Sequence, residues 1–347
     1  MMRTTTRRSV LSAGALLALT TSLAAGCALP TSDAQSQEEG AHTTVRYQGS
    51  ANAVTWPELA DDLGYLDRVQ LKYVGATTSG PQDIQSVATG QTDIGGAFSG
   101  AIVKLVEAGS PITAVVNYYG SDARSYQGVY VRKDSAIRRP RDLVGKKIAV
   151  NTLGAQTEAA IDTWLTTSGL SQSEIDQVQL VVLPPNDTEE AVRRGQVDAG
   201  ALGGILQDHA KAQGDIRELF RDTEVVGPIN GGQYVLRDDF IAQHPQATRE
   251  LTTGVAKAIE WARTTPRADV IARFTQIVEA RDRNETTANL RYWKSTGIPA
   301  RGGVISDTDF TQWSDWLESS GIVAAGELDP SQIYTNEYND LAKEGSS

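Results

Sequence analysis

The nonapeptide VATGQTDIG, Val87–Gly95, returns as VRRGQVDAG, Val192–Gly200. Five of nine positions agree at an offset of 105 residues. Each copy reads as a helix end, a glycine stop, and a short strand running into small residues. Gly stops helices because it tolerates positive φ. Two readings of the recurrence stand: a repeated lobe, or common capping chemistry met twice. The first implies two similar lobes with a cleft between them, and clefts bind small molecules.

Working outward, strands and helices alternate. Strands are expected at Val45–Tyr47, Val69–Val74, Thr92–Ala97, Ile112–Tyr118, Gln127–Arg132, Ile148–Val150 and, fully buried, Val178–Leu183. Helices are expected from Trp56 to near Gly64, over Asp83–Thr89, and over Ala101–Ala108 with Ser99 as cap. Two more fall at Thr157–Thr167 and Glu189–Arg194. This alternation predicts parallel, doubly wound sheets. After Tyr234–Leu236 the chain turns helical, with helices expected at 246–263, 268–276, 285–294 and 307–319.

Residues 1–26 read as an export signal rather than as fold. Arg3, Arg7 and Arg8 precede an apolar run, Val10–Leu19, too short for a comfortable membrane span. Leu23-Ala-Ala-Gly-Cys27 resembles a bacterial lipobox, which implies lipidation at Cys27. Thr6–Leu11 also resembles a twin-arginine signal, with Val10 in place of the favoured Phe, so the Sec and twin-arginine routes both stand. Residues 27–42 are polar and read as a lipid-anchored flexible tether.

Cys27 is the only cysteine and there are three histidines. Disulfides, cysteine catalysis and a Cys-based zinc site are excluded, and no metal or cofactor is expected. The net charge is −11, and losing the three leader arginines takes it to −14. So acidic a chain is a poor partner for nucleic acid or an anionic membrane surface.

Several motifs, in order, resemble one family. Asp142-Leu-Val-Gly-Lys-Lys-Ile-Ala-Val150 is similar to the D-L-x-G-K-x-V-A-V signature of periplasmic-type solute-binding proteins. Asn151–Ala155, Leu183–Ala199, Gly90–Gly95 and Ile259–Trp261 also fit. Together they resemble the nitrate/sulfonate/taurine and thiamine-precursor branch of ABC-transporter substrate-binding proteins. The resemblance implies an α/β, two-lobed periplasmic binding protein type II fold, with two doubly wound sheets joined by two crossing segments. Lobe 1 would be 43–123 plus 230–347, and lobe 2 would be 124–229.

It also implies a lipid-anchored, extracytoplasmic monomer, not an enzyme. Such a protein captures a small anionic ligand and delivers it to an ABC permease and its ATPase. A pyrimidine-precursor binding or synthesis protein of the same fold and a sensory subunit remain as alternatives. Candidate ligand contacts are Gln48, Ser50, Asn52, Trp56, Thr77, Thr78, Ser79, Phe98 and Ser99 from lobe 1. From lobe 2 they are Thr152, Gly154, Ala155, Gln156, Thr157 and Asn186, with Gly203 behind. The physical case is strongest for Gly154–Thr157, where free N–H groups at a helix start favour an anion. Ser99 and Thr157 equally read as caps of their own helices. Gln91, Asp93, Gln196 and Asp198 read as structural, at strand starts away from the ligand.

Overall fold

The computed structural model describes residues 42–344. The leader, Cys27 and the tether through residue 41 lie outside them. The described chain opens with β1 (Thr43–Gly49), α1 (Trp56–Asp62), β2 (Val69–Ala76), α2 (Gly80–Ala88), β3 (Ile94–Phe98), α3 (Ser99–Glu107) and β4 (Ile112–Ser121). A second series follows: β5 (Gln127–Arg132), β6 (Lys147–Val150), α4 (Gln156–Thr167), α5 (Gln172–Ile175), β7 (Gln179–Val182), α6 (Pro185–Arg193), β8 (Ala199–Gly203), α7 (Gly204–Gln213), β9 (Ile216–Arg221) and α8 (Asp222–Val225). The chain then returns through β10 (Ile229–Arg237) to α9 (Asp238–Gln243), α10 (Pro245–Thr264), α11 (Arg267–Ala280), α12 (Thr308–Thr311), α13 (Ser314–Ser319) and α14 (Asp340–Glu344).

The strands form a β1–β2 pair, a sheet ordered β3-β10-β4, and a five-stranded sheet ordered β7-β6-β8-β5-β9. The chain passes from the three-stranded to the five-stranded sheet between Ser121 and Gln127, and returns between Val225 and Ile229. The sheets are mixed rather than wholly parallel. β10 runs antiparallel to β3 and β4, and β5 runs antiparallel to β8 and β9. These two strands are the first after each passage, so they enter their sheets from the opposite end.

The two nonapeptides build the same corner twice. Gly90 (φ 73°) and Gly195 (φ 68°) occupy the left-handed region that glycine adopts without steric cost. Gly90 N donates to Val87 O at 2.9 Å and Gln91 N to Ser86 O at 2.8 Å. In the second copy Gly195 N donates to Val192 O at 3.0 Å and Gln196 N to Ala191 O at 2.9 Å. Both are Schellman ends, which satisfy the last helical carbonyls. The ninth residue must also be glycine. A Cβ on Gly95 would stand 2.8 Å from Asp83 O, and one on Gly200 would stand 2.7 Å from Val192 Cγ2. Each helix thus lies directly on the strand that follows it.

The hydrophobic core divides accordingly. One buried cluster joins Val45, Leu59 and Val115 to Leu251, Val255 and Ile259 of α10. Another joins Phe98, Ile102 and Val235 to Phe310, Trp313 and Trp316. A third lies under the five-stranded sheet around Val129, Ile148, Ile161 and Leu165.

Four expectations are corrected. Residues 285–294 form no α-helix, only a 3-10 turn at Leu290–Tyr292. Glu285 Oε1 instead accepts from Asn52 N at 2.7 Å and Thr286 N donates to Asn52 Oδ1 at 2.7 Å. These tertiary bonds compete with a helical ladder. Residues 307–319 split into α12 and α13, with the break at Trp313 set by its burial edge-on against Phe98. β7 is a sheet edge, not a fully buried strand, and Val182 is 53% exposed. Ser99 is the first residue of α3 rather than its cap. Its hydroxyl faces β10, accepting from Gln233 Nε2 at 3.1 Å.

Candidate functional site

A cavity of about 400 Å³ lies where the carboxyl ends of β3, β4, β6 and β8 meet. Ligands of open α/β sheets bind at such strand ends. Gly80 and Pro81 of α2, Ala97 and Phe98 of β3, and Tyr118, Tyr119 and Gly120 of β4 form one wall. Gln127, Asn151, Ala155, Gln156, Thr157, Gly203 and Gly204 form the facing wall, and Ser125 and Thr296 complete it. None of these side chains is charged.

Four helices begin at this cavity: α2, α3, α4 and α7. Their N-caps are Ser79, Phe98, Ala155 and Gly203, and none makes a side-chain capping bond. First-turn N–H groups without a side-chain cap are free for a ligand, and the helix dipoles add positive potential. Helix starts of this kind can hold an anion without any Arg or Lys beside it.

Behind the wall, polar groups are fixed by burial. Gln156 is 3% exposed; its Nε2 donates to Asp222 Oδ2 at 2.8 Å. Ser121 Oγ donates to the same oxygen at 2.5 Å. Burial raises the Asp222 carboxyl above its ordinary range. Gln156 Oε1 is buried without a partner beside Gly231, where a Cβ would stand 2.3 Å from it. Tyr118 stacks on Tyr234 at 4.2 Å and meets Tyr119 edge-on at 4.9 Å. Burial holds all three phenols well above their usual range, so they stay neutral. Asp83, whose Oδ2 accepts from Gly96 N at 2.8 Å, is pushed up to about 7 by burial.

Of the residues expected at the site, Phe98, Ala155, Gln156 and Thr157 line the cavity, as does Gly203. Ser79 and Thr152 meet nearby, Oγ to Oγ1 at 3.3 Å, joining the start of α2 to the loop after β6. Gly154 turns that loop at φ 69° and donates its N–H to Glu158.

The remaining candidates stand outside the lining. Trp56 supports it from behind, Nε1 donating to Tyr118 O at 2.6 Å while its ring packs edge-on with Phe274. Ser50 Oγ donates to Thr77 O at 3.2 Å, and Thr77 Oγ1 to Ser79 O at 3.2 Å, so both shape the loop ahead of α2. Asn52 (φ 63°) is engaged by Glu285 and Thr286. Gln48 Oε1 is buried without a partner at the end of β1. Ser99 is fully buried, while Thr78 and Asn186 are exposed.

Gly80, Pro81, Tyr118, Gln127, Ser125 and Thr296 line the cavity without having been singled out in the sequence, and Asn151, which opens the segment Asn151–Ala155, lines it too. Asn151 carried a signal, as the first residue after β6. Thr296 carried none, because it arrives from the irregular tail.

A larger groove of about 540 Å³ lies along α10 and α14, away from these strand ends. Several of its charges serve one another or the backbone: Arg249 pairs with Asp340 at 2.9 Å, and Glu250 Oε1 accepts from Arg68 N and Val69 N. Among the described residues no helix is long and apolar enough to cross a membrane. None of their His, Cys, Asp and Glu side chains gather in threes or more to hold a metal.

The profile of the NMT1/THI5-like family matches residues 59–269, more than half of the chain. The chain belongs to the NMT1/THI5-like family. No functionally curated sequence shows a significant match. Among solved structures, a protein of Bordetella bronchiseptica RB50 is 21% identical with a TM-score of 0.70, over 87% of this chain and 98% of that one. The alkanesulfonate-binding protein SsuA from Xanthomonas axonopodis pv. citri, bound to MOPS, is 20% identical with a TM-score of 0.65, over 85% and 99%. The desulfurization enzyme DSZB is 15% identical with a TM-score of 0.60, over 88% and 100%. Members of this NMT1/THI5-like family and these neighbours share one periplasmic-binding-protein fold, and the chain has it.

Proposed function

We propose that this NMT1/THI5-like protein is the solute-binding component of an ABC importer, taking a small sulfonate-like anion in the cavity between its lobes. The observation that carries this reading is the convergence of four helix starts without side-chain caps on one uncharged cavity. Lobe 1 would comprise 43–123 and 230–347, and lobe 2 would comprise 124–229, hinged at the two passages between the sheets. Binding energy drives closure, and the closed form is what a permease would recognise. Cys27 would carry the lipid that holds the protein outside the cytoplasm, with 27–42 as tether.

The fold also hosts an enzyme among its neighbours. The binding reading is preferred because no Cys, His or carboxylate stands in the cavity lining to act as a strong nucleophile or base. A thermal-shift panel tests it, with alkanesulfonates, taurine, nitrate, carboxylates and pyrimidines. A ligand at 100-fold over its Kd should stabilise the protein by about 2.7 kcal/mol. Turnover of any ligand, or a response only to uncharged pyrimidines, would overturn the anion-receptor reading. Metabolic labelling with palmitate, lost in Cys27→Ser, tests the anchor.

A further inference from the structure

A second, smaller chamber of about 170 Å³ adjoins the main cavity. The two share Gln127, Asn151, Thr157 and Gly203, which form a neck between them. Beyond the neck the walls are Pro185 and Thr188 of α6, Ala201 and Leu202 of β8, and Leu206 of α7. Four of these five side chains are apolar, and the Thr188 hydroxyl is turned to Pro184 O at 3.5 Å.

Every wall of this chamber comes from the β5-to-α7 segment, around the five-stranded sheet. The main cavity instead draws one wall from α2, β3 and β4. Opening and closing would change the main cavity and leave the chamber's shape intact. An apolar cavity of roughly 150 Å³ is large enough to hold benzene. The first turn of α4 and the N-cap of α7 sit at the neck, so an anionic head held there has the chamber directly behind it.

We propose, resting on the anion-receptor reading, that the chamber is a subsite for a compact apolar substituent of about six carbons on the ligand. The preferred ligand is then a ring-bearing or branched sulfonate rather than nitrate or a one-carbon sulfonate. The substituent docks first, on the lobe whose shape does not change, and closure then brings α2 onto the head.

Isothermal titration of the purified protein with methanesulfonate, cyclohexanesulfonate and benzenesulfonate tests this. The six-carbon sulfonates should bind at least tenfold more tightly than methanesulfonate. Leu206 belongs to none of the buried hydrophobic clusters among the described residues, so it can be changed without emptying the core. Leu206→Trp should cut the ratio of six-carbon to one-carbon affinity at least tenfold. Leu206→Ala should shift preference toward naphthalenesulfonate. Equal affinities across the series, or a ratio untouched by Leu206→Trp, would overturn the subsite and leave the receptor reading standing. Binding of none of these anions would remove both.

Discussion

Asp93 and Asp198, 105 residues apart, make the same contact. Asp93 Oδ2 accepts from Arg46 N at 2.7 Å while its own N–H donates to Arg46 O at 2.9 Å. Asp198 Oδ2 accepts from Lys147 N at 2.9 Å and its N–H donates to Lys147 O at 2.9 Å. Asp93 clamps the middle of β1, and Asp198 clamps the first residue of β6. Asp93 also pairs with the Arg46 guanidinium at 2.6 Å. Asp198→Ala should cost about 1 kcal/mol and Asp93→Ala about 2 kcal/mol, because a charged acceptor and its ion pair are lost together. Urea unfolding measures both. Ligand affinity should stay unchanged, since neither residue lines the cavity.

A buried acid, Asp83, and a partly buried one, Asp162, make stability fall as pH rises. Burial raises Asp83 to about 7 and Asp162 to about 6, and the charge of Glu158 adds to the latter. Both stand above the unfolded value of 3.8, so the folded state holds these protons more tightly. Their contribution is full below about pH 4 and is lost as pH climbs through 6 and 7. Asp162 also accepts from Trp316 Nε1 at 3.2 Å, linking α4 to α13, and Asn can keep that bond. Asp162→Asn should raise stability at pH 8 by on the order of 2 kcal/mol and flatten the slope between pH 4 and 6. Urea midpoints across pH 4–8 decide it; an unchanged slope would show that Asp162 is ionised throughout.

Placing a carboxylate at the helix starts should mimic the ligand. Thr157 sits in the first turn of α4, in the lining of both chambers. Thr157→Asp should weaken anion binding at least 100-fold (about 2.7 kcal/mol) with far-UV circular dichroism preserved. Retained affinity would move the anion away from α4.

Ser79 and Thr152 bring two oxygens within 3.3 Å from opposite sides of the cleft. In a Cys27→Ser background, Ser79→Cys with Thr152→Cys should oxidise readily, being close enough for a disulfide with little movement. Oxidised protein should release bound ligand at least tenfold more slowly than reduced protein, as stopped-flow tryptophan fluorescence would measure. Equal release rates would mean that the cleft does not need to open there.

Most elements were legible because their signals are local. Gly90 and Gly195 announce helix ends, and the β5 strand at Gln127–Arg132 agrees with its expected bounds. The tail was less legible. A helix is expected over 285–294, yet Asn52, 233 residues before Glu285, takes the hydrogen bonds of Glu285 and Thr286. The site divided in the same way. Ala155–Thr157 could be found because a helix start is a local event. Trp56 and Asn52 suit a ligand by residue type, but other parts of the chain had already engaged them.

The sequence by itself determined the repeated corner, the alternation of strands and helices, and the absence of cysteine chemistry beyond Cys27. Each follows from backbone conformation or residue inventory, which do not depend on distant neighbours. Only the tertiary structure decided that β5 and β10 run antiparallel, that Tyr118 walls the cavity, and that Thr296 reaches it. It also decided which polar groups are spent and which face the cavity. Those outcomes depend on which surfaces meet when two sheets and a long helical tail pack together.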